Sequence, residues 1–140
     1  RDEIKKKVDE VIRIVGLGGF ENFYPHQISG GMKQRVSIAR AFATDADLIL
    51  MDEPFVSLDQ PTRERMQQEV LDIWKNLRRT IVFVTHNLEE AVFLGDRVVI
   101  LSEKPTKIKA DLKIDLPRPR DSLSSDFTEI RAQCFSFLHH

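Results

Sequence analysis

Four short stretches carry residue types that could do chemistry. In Ile28-Ser29-Gly30-Gly31-Met32-Lys33-Gln34-Arg35, a serine and two glycines precede a helix-forming run. The first N–H groups of a helix lack intrahelical partners, the helix dipole adds partial positive charge, and glycine lets an anion approach the backbone. The same residues would equally serve as a capped helix after a glycine turn. In Leu48-Ile49-Leu50-Met51-Asp52-Glu53, an apolar run delivers two adjacent carboxylates. One acid can hold Mg²⁺ through water while its neighbour orients and deprotonates an attacking water; an Asp-Glu pair opening a solvated turn is the plain alternative. His86 follows a second apolar run, Ile81-Val82-Phe83-Val84. A histidine there can contact a γ-phosphate and polarise a water, or simply face solvent. Ser57-Leu58-Asp59 lies just past the carboxylates and, alone, reads only as a helix cap.

The elements that must position these residues follow from periodicity. Ile4, Val8, Val11, Ile12 and Val15 fall at helical spacing, and Gly16-Leu17-Gly18-Gly19 stops the run. An aromatic loop (Phe20, Phe23, Tyr24, Pro25) leads to Ser29, the N-cap of a second helix with Met32, Val36, Ala39 and Ala43 on one face. Leu48–Met51 and Ile81–Val84 read as strands buried on both faces, as in parallel sheets. Between them Met66, Val70, Ile73, Trp74 and Leu77 predict a helix opened by Asp59 and Pro61. Asn87 and Glu90 predict a capping box for a short helix to about Phe93. Arg97–Leu101 reads as a third strand, and Ile108, Ala110, Leu112 and Ile114 as a half-exposed edge strand. Pro117-Arg118-Pro119-Arg120 reads as a stiff linker, followed by an amphipathic helix through Phe127, Ile130, Cys134 and Leu138. Strand, helix, strand, helix, strand is the rhythm of an α/β fold with a parallel sheet.

Composition narrows the function classes. The chain of 140 residues suits one domain, and 21 Lys+Arg against 22 Asp+Glu leave no global basic field to attract nucleic acid. Cys134 is the only cysteine, so no internal disulfide can form, and no metal-binding Cys/His spacing occurs; both point to a cytosolic setting. No apolar run approaches the roughly 18–20 residues that span a bilayer, so work at a membrane would pass through a partner. His139-His140 reads as the stub of an affinity tag and is given no function.

The order of the four stretches is more specific than any one of them. Ser-Gly-Gly helix, apolar strand with Asp-Glu, Ser-Leu-Asp, then strand with Thr-His resembles the ABC ATPase family. Ile28–Met32 resembles its signature motif, Leu48–Asp52 with Glu53 the Walker B strand, Ser57–Asp59 the D-loop and His86 the switch histidine. The resemblance runs from about residue 1 to 120. It implies the C-terminal part of a P-loop NTPase fold, with residues 1–45 in a helical subdomain, 46–116 in the ATPase core and 117–140 as linker and terminal helix. It also implies ATP and Mg²⁺ as cofactors. Glu53 would then be the general base, Asp52 the Mg²⁺ residue acting through water, and His86 the γ-phosphate sensor. Ser29, Gly30, Gly31 and Met32 would contact ATP bound by a second ATPase subunit, with Ser57 and Asp59 at that head-to-tail interface. The other implied partners are a transmembrane permease and, indirectly, a solute-binding protein, which sets the protein on the inner face of the plasma membrane. Tyr24-Pro25-His26-Gln27, Met32 and Asp115-Leu116-Pro117-Arg118-Pro119-Arg120 resemble importers of the nitrate, sulfonate and taurine type.

Two readings compete. Non-transport ABC ATPases of DNA repair or chromosome cohesion share these motifs, but they carry long heptad coiled coils and none is present here. A non-enzymatic interaction fragment is the second, because no Gly-x-x-x-x-Gly-Lys-Ser/Thr occurs in the sequence. In the family, the strand leading to that loop lies between the His86 strand and the next. Its absence predicts a gap between Thr80–Thr85 and Arg97–Leu101, and with it an incomplete sheet and rearrangement or self-association of the chain.

Overall fold

The structure is a computed structural model, and it describes residues 2–44, 46–77 and 79–138. Arg1, the His139-His140 pair and the side chain of Leu77 lie outside the described residues. The chain divides into two compact units, residues 1–84 and residues 85–140.

The first unit opens with α1 (Asp2–Ile14), whose apolar stripe is buried only toward its end, at Val11 and Val15, while Ile4 and Val8 are exposed. A 3₁₀ turn at Pro25–Gln27 is closed by Gln27, whose Oε1 accepts from the Tyr24 N–H at 2.8 Å. Then α2 (Gly30–Ala43) packs on α1, burying Ile38, Ala39 and Phe42. Strand β1 (Leu48–Asp52) pairs in parallel with β2 (Thr80–Val84), Leu48 opposite Thr80 and Asp52 opposite Val84. Helix α3 (Gln60–Leu77) connects them, with Met66, Val70, Leu71 and Ile73 buried.

The expected burial of both faces is not what the structure shows. Ile49 and Met51 are buried, but the other face of the pair exposes Leu48, Leu50, Val82 and Val84, Leu50 at 71%. A continuous apolar run states that both faces want cover; the described residues supply cover for one.

In the second unit, α4 (Leu88–Leu94) is followed by β3 (Arg97–Leu101) and β4 (Ile108–Lys113), which pair antiparallel with an irregularity at Ile100/Leu101. Helix α5 (Ser125–Leu138) closes a core of Val92, Val98, Ile100, Ile114, Phe127 and Cys134. Burial pushes the Cys134 thiol pKa up. The four strands therefore form two separate two-stranded sheets, one parallel and one antiparallel. The predicted edge strand is present as β4.

Two local expectations need correction. Asn87 caps α4, its Oδ1 accepting from Glu89 and Glu90 N–H groups at 2.9 and 3.3 Å, but Glu90 does not complete a capping box. The Asn87 N–H goes instead to Thr85 Oγ1 at 3.0 Å, and that hydroxyl donates to Glu90 at 2.8 Å. Nor does Pro117–Arg120 stand apart as the stiff linker expected, because its arginines are bonded into the second unit. Arg120 is only 7% exposed and donates to the carbonyls of Val92, Phe93, Gly95, Ile114 and Leu116. Arg118 pairs with Asp96 and the Leu94 carbonyl.

Candidate functional site

Ser29 is extended and caps α2, its Oγ accepting from the Met32 N–H at 3.2 Å. That leaves Gly30 and Gly31 as the first helical residues, whose N–H groups have no intrahelical acceptor. A Cβ built on Gly30 meets nothing within 4 Å, so its backbone is open to an approaching group. A Cβ on Gly31 would lie 3.5 Å from the Ser57 carbonyl and 3.5 Å from Leu58. The glycine helix start and the Ser57–Leu58 turn are therefore neighbours in the first unit. The Met32 N–H is occupied by the cap, and the Met32 side chain lines an apolar cleft of about 310 Å³ with Val8, Val11, Phe20, Phe23 and Val36.

Asp52 closes β1 and is exposed; Glu53 follows and is half-buried. Glu53 has φ 46°, the left-handed region, and is the one non-glycine with positive φ among the described residues. Pro54 disfavours helical backbone in the residue before it, so this conformation is held by its surroundings. The Glu53 N–H extends the β1–β2 ladder to the Val84 carbonyl at 2.9 Å. Its carbonyl accepts from the Val56 N–H at 3.4 Å and from Gln34 Nε2 at 3.3 Å. Sequence reasoning did not single out Gln34. It lies one helical turn past Gly30, and nothing in a linear sequence shows which loop a helix face will meet.

Asp59 is exposed at the start of α3, accepting from the Thr62 N–H at 3.2 Å; hydrogen bonds from Thr62 hold its carboxyl below the usual range. Arg35 on α2 ties down the end of α1, donating to the Val15 and Gly16 carbonyls at 3.1 Å each, where Gly16 turns with φ 65°. Ser29, Gly30, Gly31, Asp52, Glu53, Ser57 and Asp59 thus all lie in the first unit. His86 is exposed in the second unit, between Thr85 and the α4 cap Asn87. Among the described residues no group of three or more His, Cys, Asp or Glu could hold a metal ion. A single carboxylate such as Asp52 still fits Mg²⁺, which keeps several waters and takes one or two protein carboxylates beside substrate phosphates.

These units are folded as in ABC ATPase cassettes, a P-loop NTPase fold. A dimeric bacterial ABC transporter cassette superimposes with a TM-score of 0.72 at 32% identity, covering 83% of this chain and 49% of that one. The post-hydrolysis state of a cassette bound to ADP and phosphate matches equally well, with a TM-score of 0.72. The family model for ABC transporters matches residues 2–56. An uncharacterized ABC transporter ATP-binding protein of Methanocaldococcus jannaschii is 52% identical over 99% of this chain and 51% of its own length. The aliphatic sulfonates import ATP-binding protein SsuB of Bacillus cereus is 49% identical over 91% of this chain and 51% of its own length. The chain is similar to the ATP-binding proteins of ABC transporters and spans about half the length of the curated relatives it matches.

Proposed function

We propose that the whole protein carrying these residues is the ATP-hydrolysing subunit of an ABC importer. The observation that carries the reading is the Asp52-Glu53 pair at the C-terminal end of the parallel β1–β2 pair, the end where ligands bind in such sheets. The same unit holds a glycine-opened helix start beside the Ser57–Leu58 turn. Glu53 acts as general base toward the attacking water, and Asp52 holds Mg²⁺ through water. When bound, that ion neutralises charge developing on the phosphates. Ser29, Gly30 and Gly31, with Met32 completing the turn, bind the γ-phosphate of ATP carried by a second subunit. Ser57 and Asp59 face that subunit across the head-to-tail interface, and His86 senses the γ-phosphate.

The SsuB relatives, named for the import of aliphatic sulfonates, support an anionic solute of the sulfonate kind; the wider choice of sulfonate, taurine or nitrate rests on the resemblance of Tyr24–Gln27, Met32 and Asp115–Arg120. The import in the relatives' name supports a permease partner; its docking at the α1–α2 region and a solute-binding protein beyond it are part of the proposal. No described helix is long and apolar enough to cross a membrane, which suits a subunit held peripherally by its permease.

The test is ATP turnover by the whole protein and its Glu53→Gln variant. That variant binds ATP but hydrolyses it about 10²–10⁴-fold more slowly, the usual worth of a positioned base. The 140-residue chain by itself, without a phosphate-cradling loop, turns over none. Wild-type turnover by Glu53→Gln would remove Glu53 from the role.

A further inference from the structure

We infer that Gln34 is a positioning residue for Glu53, holding the backbone that aims the base. The inference rests on the reading of Glu53 given above and adds a residue to its machinery. Glu53 sits at φ 46°, a conformation that is strained for a non-glycine residue and persists only where neighbours over-determine it. Its N–H is fixed by Val84 at 2.9 Å, so β2 determines where the residue begins. Its carbonyl is held on the far side by two long bonds, from Val56 N–H at 3.4 Å and Gln34 Nε2 at 3.3 Å. Val56 belongs to the same turn and moves with it. Gln34 is a contact to that carbonyl from outside the turn, since it stands on α2, nineteen residues earlier in the chain.

The origin of that contact gives it a consequence. Gln34 lies one turn after Gly30 and Gly31, so the helix that presents the phosphate-facing N–H groups also grips the carbonyl of the base. With its N–H pinned on Val84, Glu53 relaxes from φ 46° only by swinging its carbonyl and its Cα–Cβ bond together, so a grip on the carbonyl also holds the direction of the side chain. A displacement near 1 Å is enough to cost a reaction heavily. A lone hydrogen bond at the long end of the range has little worth for stability, and its value here lies in geometry.

The experiment uses the whole protein with ATP as the probe. Gln34→Met keeps length and helix propensity but removes the donor; Gln34→Lys keeps an N–H donor on a long stem. The expected result is a drop in kcat of about tenfold for Gln34→Met, the scale of one hydrogen bond. KM for ATP stays within about twofold and the unfolding midpoint is nearly unchanged, while Gln34→Lys recovers most of the loss. In a Glu53→Gln background, Gln34→Met has no further effect, because the group it positions is gone. Full kcat in Gln34→Met overturns the inference. So does a loss that appears in KM, one that Gln34→Lys fails to recover, or one that persists in the Glu53→Gln background. Wild-type turnover in Glu53→Gln alone fails the general-base reading itself and removes the reason for positioning, so the two failures are told apart.

Discussion

Ser29 caps α2, and the proposed function gives it a second task that a substitution can separate. Its Oγ caps α2 through the Met32 N–H, and its place beside Gly30 sets it where an anion would approach. Aspartate is as good an N-cap as serine and is favoured by the positive end of the helix dipole. A carboxylate there would nevertheless repel a phosphate. Ser29→Asp is therefore expected to keep the thermal unfolding midpoint while lowering ATP turnover of the whole protein by about a hundredfold or more, the scale of losing an electrostatic donor site. Normal turnover in a stable Ser29→Asp protein would leave Ser29 with the cap alone. Much at this scale was legible beforehand, because caps and glycine turns are local: the Ser29 cap, the Asn87 cap and the Asp52-Glu53 strand end stand where the sequence put them. The left-handed backbone of Glu53 and its contact with Gln34 were not, since both depend on how α2 meets the end of β1.

At the scale of elements, α4 is held at both ends by side chains rather than by burial alone. Asn87 caps its start, and the Arg120 guanidinium collects carbonyls at its finish, Val92 and Gly95 at 2.7 Å and Phe93 at 3.2 Å, together with Ile114 and Leu116. Burial, and then the charge of Arg118, pushes the Arg120 pKa down, yet these five acceptors keep a cation satisfied where water is scarce. The sequence presented only Pro-Arg-Pro-Arg, which composition assigns to a stiff linker; a planar five-donor fork can instead serve as a staple. Arg120→Ala would strand several helix-end carbonyls and is expected to destabilise the second unit by about 2–4 kcal/mol. Arg120→Lys would recover only part, having three donors and no fork. Denaturant midpoints check the size. Hydrogen exchange in α4 and β3 checks the place, and unchanged protection there would show that the hydrophobic core suffices without Arg120.

The whole chain confronts a problem that no single residue reveals. Its parallel pair shows solvent a face carrying Leu48, Leu50, Val82 and Val84, with Leu50 at 71% and Val84 at 58% exposure. It pairs with no further strand among the described residues. The apolar period-one pattern of both runs predicts cover on both faces, and the described residues leave one of them open; which segment would cover it is not written in the pattern. Contiguous apolar surface of this kind, next to open backbone donors and acceptors, drives association. The covering partner available to the 140-residue chain in pure solution is another copy of itself, meeting face to face or edge to edge. We therefore expect light scattering to give a mass above that of the monomer, rising with concentration. Leu50→Lys should shift the distribution toward monomer, because a charge at the centre of the face must be desolvated for a copy to dock. Its side chain is exposed in the single chain, so the substitution leaves the unfolding transition nearly unmoved. A parent chain that stays monomeric at high concentration would show that this face tolerates water. A Leu50→Lys chain that still associates would place the contact on the strand edges instead, where side-chain charge matters less than the unpaired backbone.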